Sequence, residues 1–454
     1  MSSSAGASET FTASKAYTRW VLTLLFGVAI LNMLDRQILG ILVVPIKAEF
    51  GVSDTAMGFL TGPSFALFYA VAGIPVARYA DRGVRRTIIA TGLALWSGLT
   101  LASSAVSSFA QLVVARLGVG IGEAAGTPPS HALISDYFPP DRRASALALF
   151  SVGGSMGVAL ALLMGGWVEQ LWGWRAVFAV AGAPGIVLAL LMRFTVKEPP
   201  RGRFDGPRAA SSPGSSSAGH GPAHTAERWP AALGQLLRIP AYRHVVMGAG
   251  LHSFAFTGSL IWYPAFLTRV HGFESGAIGT LLAFGSSLPT ALGIVLGGLA
   301  TDRLQRRDPR WITRVAAITM VAYAPFALGF LYFSDWTLAV ANLVPAALAM
   351  GASVPGMHVA TQALAPPHLR ALASAVTLLV LSVVGSGLGP FAVGVMNDLL
   401  AERLGDEAVR YTLSIVGLTS VWSGVHYWLA ERTLARDLVE RAAADAATAD
   451  EDAD

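Results

Sequence analysis

Apolar stretches of roughly 20 residues, the length a helix needs to cross hydrocarbon, recur along almost the whole of this chain. They lie at about 20–45, 55–80, 87–108, 109–136, 143–168 and 173–195, then at about 243–269, 276–301, 311–333, 336–364, 370–399 and 408–430. In hydrocarbon every backbone N–H and C=O must be satisfied within its segment or within a closed barrel, and segments this long read as helices. The predicted fold class is therefore all-α integral membrane, with about 12 transmembrane helices in two sets of six. Only 13% of the 454 residues are charged, against roughly 25% in a soluble chain, and no stretch is left for a soluble catalytic domain. The absence of cysteine excludes disulfides, thiolate nucleophiles and cysteine metal sites. With no metal-ligand cluster, phosphate-cradling loop or nucleophile beside a base, neither enzyme activity nor a cofactor or metal is expected. No basic stripe is interleaved with aromatics, so no nucleic-acid partner is expected.

Loop charge sets the orientation. With an even number of crossings both termini share a face, and Arg82, Arg85, Arg86, Arg142, Arg143, Arg201, Arg203, Arg303, Arg306, Arg307 and Arg310 fall on it. The positive-inside rule makes that face, and both termini, cytoplasmic. Opposite loops balance their charge: Lys47 against Glu49 and Asp54, and Arg403 and Arg410 against Asp398, Glu402, Asp406 and Glu407. The chain divides into an N-terminal tail (1–18), a six-helix half (19–198), a flexible linker (199–240), a second six-helix half (241–432) and an acidic tail (433–454). The linker's RGRFDGPRAASSPGSSSAGHGPAHTAER has too little apolar surface to offset the entropy of ordering. The tail, ending RAAADAATADEDAD, is expected to be disordered or a frayed helix. Heavy use of Ala, Gly and Arg over Lys fits a bacterial inner-membrane protein. A monomer is expected.

The two sets of six echo each other. ARYADRGVRR (77–86) follows the second crossing and GLATDRLQRR (298–307) the eighth, both carrying D-R-x-x-R-R; PPDRRASA (139–146) and PPHLRALASA (366–375) follow the fourth and tenth. Matches in corresponding loops imply a six-span unit repeated about an axis along the membrane normal. The layout, the linker and the paired loops resemble the major facilitator superfamily of secondary transporters. In that family the loop typically reads G-x-x-x-D-R-x-G-R-R; here Ala77 and Val84 replace its glycines in the first copy, and Gly298 survives in the second. Asp81, Arg82, Arg85 and Arg86, with Asp302, Arg303, Arg306 and Arg307, are expected to pair across the seam between halves as these rock. Setting topology alone is the alternative.

Charges inside the crossings carry the functional argument, because each costs about 2.5–3.5 kcal/mol at mid-bilayer on insertion scales. Asp35 and Arg36 lie roughly 15 Å deep in the first crossing, and Arg116 at similar depth in the fourth. Glu123 is nearly two turns further on, so Arg116, Gly120, Glu123 and Thr127 are expected to share one helix face. Adjacent helical residues point about 100° apart, so Asp35 and Arg36 cannot face one partner. Asp35 is balanced by Arg36 or by Arg116, leaving an arginine to meet a ligand through its fork, which suits carboxylate, phosphate or sulfate. Asp35 and Glu123 are the candidates for proton coupling; Arg36, Arg116 and Thr127 are candidates for substrate binding. A permanent Asp–Arg pair that only ties two helices together is the alternative.

LDR in the first crossing and ARLGVGIGEAAGTPPS (115–130) in the fourth also resemble the spinster branch of the superfamily, where a first-span D-R and a fourth-span R-x-x-x-G-x-G-E recur. The resemblance implies alternating-access transport of an anionic amphiphile such as a lysophospholipid or sphingosine phosphate, with proton coupling. A drug or small organic-anion carrier of the same fold is the alternative. In the second half His252 and His358, the latter one turn before Gln362, are weaker substrate candidates. An interior, hydrogen-bonded role is the blander reading. Trp262 and Tyr263 suit an interfacial aromatic belt. GGSMG (153–157) and GSGLG (385–389) suit helix packing at a gate.

Overall fold

The structure, a computed structural model, describes residues 14–204 and 229–451, without the side chains of residues 70, 74, 77, 78, 80–82, 229, 442 and 444–451. The first half comprises α1 (Lys15–Phe50), α2 (Asp54–Thr61), α3 (Pro63–Arg82), α4 (Arg85–Ala102), α5 (Phe109–Glu123), α6 (Thr127–Tyr137), α7 (Pro140–Trp172) and α8 (Trp174–Thr195). After α9 (Trp229–Arg238) the second half comprises α10 (Pro240–His271), α11 (Ser275–Leu282), α12 (Leu288–Gln305), α13 (Trp311–Tyr332), α14 (Trp336–Ala352), α15 (Val354–Leu364), α16 (Arg370–Val380), α17 (Gly389–Leu404) and α18 (Ala408–Glu451). Among the described residues eleven segments are long and apolar enough to cross a membrane. The last of them, Pro367–Arg441, has 75 residues, roughly 110 Å if helical throughout. It turns at Gly405, whose φ is 55°, and therefore makes two crossings, giving twelve.

Several crossings are broken, and the sequence shows why. Pro63, Pro128 and Pro355 stand in the first two positions of α3, α6 and α15, where a missing N–H leaves nothing unpaired. Ala283–Ser287 and Leu381–Leu388 are π-helical turns joining α11 to α12 and α16 to α17. The repeat seen in the loops extends to left-handed glycines: Gly51 (φ 62°) and Gly272 (φ 67°) end α1 and α10, and Gly173 (φ 79°) and Gly405 end α7 and α17.

Within the first half α1 packs on α7 and α4 on α8; within the second α10 and α13 pack on α18. The GGSMG run packs within the first half, whereas GSGLG packs both within the second half and, at Gly387, against Gly62 and Ala66 of the first. A Cβ on Gly153 would lie 2.9 Å from the Phe26 carbonyl oxygen, and one on Gly389 3.0 Å from that of Phe254. Between halves, α2 packs on α17, α7 on α11 and α1 on α10. These contacts sit at the end of the molecule remote from the termini, here called the far end. There one apolar core draws on both halves, joining Leu42 and Phe178 to Trp262, Leu282 and Val393. Toward the terminus end the core divides into a first-half cluster around Trp96 and Leu133 and a second-half cluster around Tyr242 and Met320.

Three drawn boundaries differ. Residues 15–18 begin α1 instead of belonging to a tail. The end of the linker is α9, whose Ala232 and Leu236, one turn apart, are buried against the second half. Past residue 432 α18 is still packed, with Leu434 buried and a buried Asp437 Oδ2 accepting from the Ala241 N–H at 2.9 Å. Residues 1–13, 205–228 and 452–454 lie outside the described residues.

Candidate functional site

Four charged side chains meet inside the first half as two crossed pairs. Arg116 Nη1 donates to Asp35 Oδ1 at 2.8 Å, and Arg116 Nη2 donates to the Asp35 carbonyl oxygen at 3.0 Å. The Thr100 hydroxyl, from α4, donates to Asp35 Oδ2 at 2.5 Å. Both oxygens of this buried carboxylate are therefore occupied. Arg36 Nε donates to Glu123 Oε2 at 2.6 Å, and Asn32 Nδ2 donates to the same oxygen at 3.2 Å. Glu123 is 0% exposed, and among the described residues its Oε1 has no partner.

The 100° turn between neighbours sends Asp35 and Arg36 to different partners. Side chains on a helix lean toward its N-terminus, so Arg36 reaches back along α1 to the level of Asn32, where Glu123 lies. The guanidinium passes 4.9 Å from the Phe65 ring centroid and 4.5 Å from that of Tyr69, with the two rings stacked at 5.6 Å on α3. Its Nη2 makes no hydrogen bond, and the side chain is 22% exposed, unlike the other three charges. The cluster thus holds one guanidinium nitrogen that is buried and without a partner among the described residues, on a side chain flanked by two aromatic rings and partly exposed.

Asn32, Phe65, Tyr69 and Thr100 escaped the sequence reading. Asn32 carried a signal, a polar residue one turn before Arg36; the others became visible only once the helices were placed. Thr127 does not continue the helix that carries Glu123. The helix stops at Glu123, residues 124–126 form a turn, and α6 restarts at Thr127 ahead of two prolines. Among the described residues no hydrogen bond ties Thr127, His252 or His358 to the cluster. His252 is buried, its Nδ1 2.9 Å from the Ser353 hydroxyl and 3.2 Å from Met320 Sδ, which ties α10 to α13 and α14. His358 is exposed on α15, and Gln362 Nε2 donates to the Ser374 hydroxyl at 2.5 Å. Trp262 and Tyr263 are interior rather than interfacial: Trp262 Nε1 donates to the Pro390 carbonyl oxygen at 2.9 Å, and Tyr263 Oη lies 3.1 Å from Tyr323 Oη.

Among the described residues, no bond from Arg85, Arg86, Arg303, Arg306 or Arg307 crosses the seam. Arg85 bonds Asp136 and the Ala132 carbonyl oxygen, and Arg86 bonds the Val196 carbonyl oxygen at 2.6 Å. Glu198 accepts from the backbone N–H groups of Arg85 and Arg86 at 3.0 and 2.9 Å, capping α4. All these partners belong to the first half. The side chains of Asp81 and Arg82 lie outside the described residues. Asp302 accepts from Gln305, while Arg303, Arg306 and Arg307 are exposed.

Charged contacts between halves lie instead at the far end. Asp54, at the start of α2, accepts from Arg269 Nη2 at 2.8 Å and from Asn397 Nδ2 at 3.1 Å across the seam, and from Lys47 at 2.6 Å within its own half. In return Asp398 accepts from the backbone N–H groups of Asp54 and Thr55 at 3.0 and 2.7 Å. Across the other seam Gln170 bonds Glu274 and accepts from the Gly276 N–H. A recess of about 690 Å³, lined by Lys47, Asp54, Arg269, Asn397 and Asp398 among others, lies at this closed end, away from the central charges.

A family model described as Major Facilitator Superfamily matches residues 25–431. An MFS-type efflux pump from Mycolicibacterium smegmatis is 35% identical over 417 residues, 91% of this chain and 93% of that protein. Protein spinster homolog 1 of Homo sapiens is 28% identical over 406 residues, 84% of this chain and 74% of that one. Among solved structures, a bacterial homolog to the human lysosomal transporter Spinster, in an inward-facing and unoccupied conformation, has a TM-score of 0.83 at 30% identity, covering 94% of this chain and 99% of that one. With twelve crossings, a repeated half and this agreement over nearly its full length, the chain belongs to the major facilitator superfamily and is a spinster-like, multi-pass membrane transporter.

Proposed function

We propose that this transporter moves an anionic amphiphile, of the lysophospholipid or sphingolipid kind, by proton-coupled alternating access across a bacterial inner membrane. The observation that carries the reading is the unequal satisfaction of the two buried carboxylates. Asp35 is saturated by Arg116 and Thr100, whereas Glu123 keeps one buried oxygen without a partner. A carboxylate left short of donors can gain a proton without losing a bond at that oxygen. We assign Glu123 as the group that titrates and Asp35 as the group that holds Arg116. Protonating Glu123 weakens its grip on Arg36, and the released fork then meets the anionic head of the substrate. Phe65 and Tyr69 supply apolar surface beside it, which favours an amphiphile over a small hydrophilic anion. By the positive-inside rule the terminus end is cytoplasmic, so a molecule joined at the far end is in its inward-facing state.

A drug or small organic-anion carrier is the second reading, favoured by the likeness to the efflux pump of Mycolicibacterium smegmatis. Proteoliposomes under an imposed pH gradient separate the two. We expect lysophospholipid movement that simple organic acids do not compete away; preferential movement of a small acid would establish the second reading.

A further inference from the structure

At one place where the two halves depart from their repeat, charge is left without a partner among the described residues. In the first half Gly83 and Val84 interrupt the helix, so Arg85 and Arg86 enter the first turn of α4 and are bonded internally. In the second half Leu304 and Gln305 stand at those positions and carry α12 onward. Arg306 and Arg307 consequently emerge on the loop before α13. The matching acid is missing as well. Asp136, which takes Arg85, lies three residues before Pro139; the residue three before Pro366 is Ala363.

Nearby acids are already engaged. Asp302 Oδ1 accepts from Gln305 Nε2 at 3.2 Å, and Asp308 Oδ1 accepts from the Arg310 backbone N–H at 2.9 Å. On the adjacent α18, Glu431 pairs with Arg314, Asp437 with Arg436 and the Ala241 N–H, and Glu440 with Arg436. Arg303, Arg306, Arg307 and Arg310 are all exposed, and among the described residues none of their guanidinium groups has a hydrogen bond or ion pair. Trp311 follows at once, with the Arg314 guanidinium 4.9 Å from its ring centroid. A tryptophan at a helix end marks the depth of the lipid headgroups.

We propose that Arg303, Arg306, Arg307 and Arg310 form a docking surface for anionic phospholipid headgroups of the leaflet on the terminus side. Guanidinium forks match phosphate, and basic clusters directly outside a membrane helix attract acidic lipid. In the first half Arg85 and Arg86, the equivalents of Arg306 and Arg307, are consumed by Asp136 and by backbone carbonyls, so lipid grips the second half more firmly. The chain's own acidic end is the competing occupant. Its described acids being engaged elsewhere, lipid is favoured.

The test titrates the detergent-solubilised full-length protein with phosphatidylglycerol or phosphatidylcholine and counts retained lipid by native mass spectrometry. We expect retention of phosphatidylglycerol over phosphatidylcholine, a loss of roughly fivefold in that affinity for Arg306→Gln or Arg307→Gln alone, and near-complete retention in Arg306→Lys. Equal retention of the two lipids, or glutamine variants that bind like the parent, would overturn the proposal by reducing these arginines to topology signals. A several-fold rise in phosphatidylglycerol retention on neutralising Asp445, Asp450 and Glu451 would overturn it in favour of the acidic end. Because Arg306→Gln and Arg307→Gln leave Arg36 and Glu123 untouched, a loss in these variants is independent of the substrate reading.

Discussion

Two buried carboxylates stand in unlike surroundings, and the difference is in what each is bonded to. Asp35 has a donor on each oxygen and a buried arginine beside it. Removing that arginine strands a buried charge, for which about 3–5 kcal/mol is the usual cost. Arg116→Ala should therefore lower the unfolding temperature of the solubilised protein sharply, and Asp35→Asn combined with Arg116→Gln should recover most of it. A shift in Arg116→Ala no larger than in an exposed control such as Arg142→Ala would show that Asp35 does not depend on the pair. Arg36 is held by charge and by two ring faces. Arg36→Lys keeps the charge and loses the fork, so it should fold normally and transport poorly. Equal transport by Arg36→Lys would remove the bidentate role. The presence of these charges was legible in the sequence because an apolar run makes any charge conspicuous. Partner choice was not, since helix rotation and side-chain reach decide it, and Thr127 fell away because a turn intervened.

At the scale of the elements, glycines decide how closely helices meet at the far end. A Cβ on Gly166 of α7 would run into the Ser275 carbonyl oxygen, and one on Gly279 of α11 into that of Leu162. Neither obstacle is a flexible side-chain tip. Overpacking of this kind costs about 1–3 kcal/mol. Gly166→Ala and Gly279→Ala should widen the far end in a population of molecules while leaving α7 helical. The chain's lack of native cysteine makes this simple to read, through spin labels on cysteines placed at Leu171 and Ala277. An unchanged distance distribution would mean that the seam has slack. The repeat itself was legible, since loops after equivalent helices share D-R-x-x-R-R. Its divergence was not: Gly83 against Leu304 looks minor in the sequence, yet it accompanies a pair of arginines bonded inward in one half and exposed in the other.

The described residues form two halves sharing one apolar core at the far end and keeping separate cores at the other. Twelve crossings were readable from hydrophobic length alone. Which end is joined was not, because opposing conformations bury the same residues at different times. Asp54 and Asp398 interlock the halves through bonds running in both directions. Asp54→Asn weakens three of the donors' attachments at once, so molecules open at the far end should become more populated, seen as longer distances between labels at Leu171 and Leu399. No change would assign far-end closure to the apolar core alone.

The central claim is that Glu123 carries the proton that accompanies the substrate. Its most direct test is proton flux into proteoliposomes, read with an entrapped pH dye on adding lysophospholipid, for the parent chain and for Glu123→Gln. The amide of the variant can still accept from Arg36 and Asn32, so the fold is expected to survive. The account predicts substrate-dependent proton movement in the parent and none in Glu123→Gln, with downhill lipid exchange still detectable. Undiminished proton movement in Glu123→Gln would contradict it.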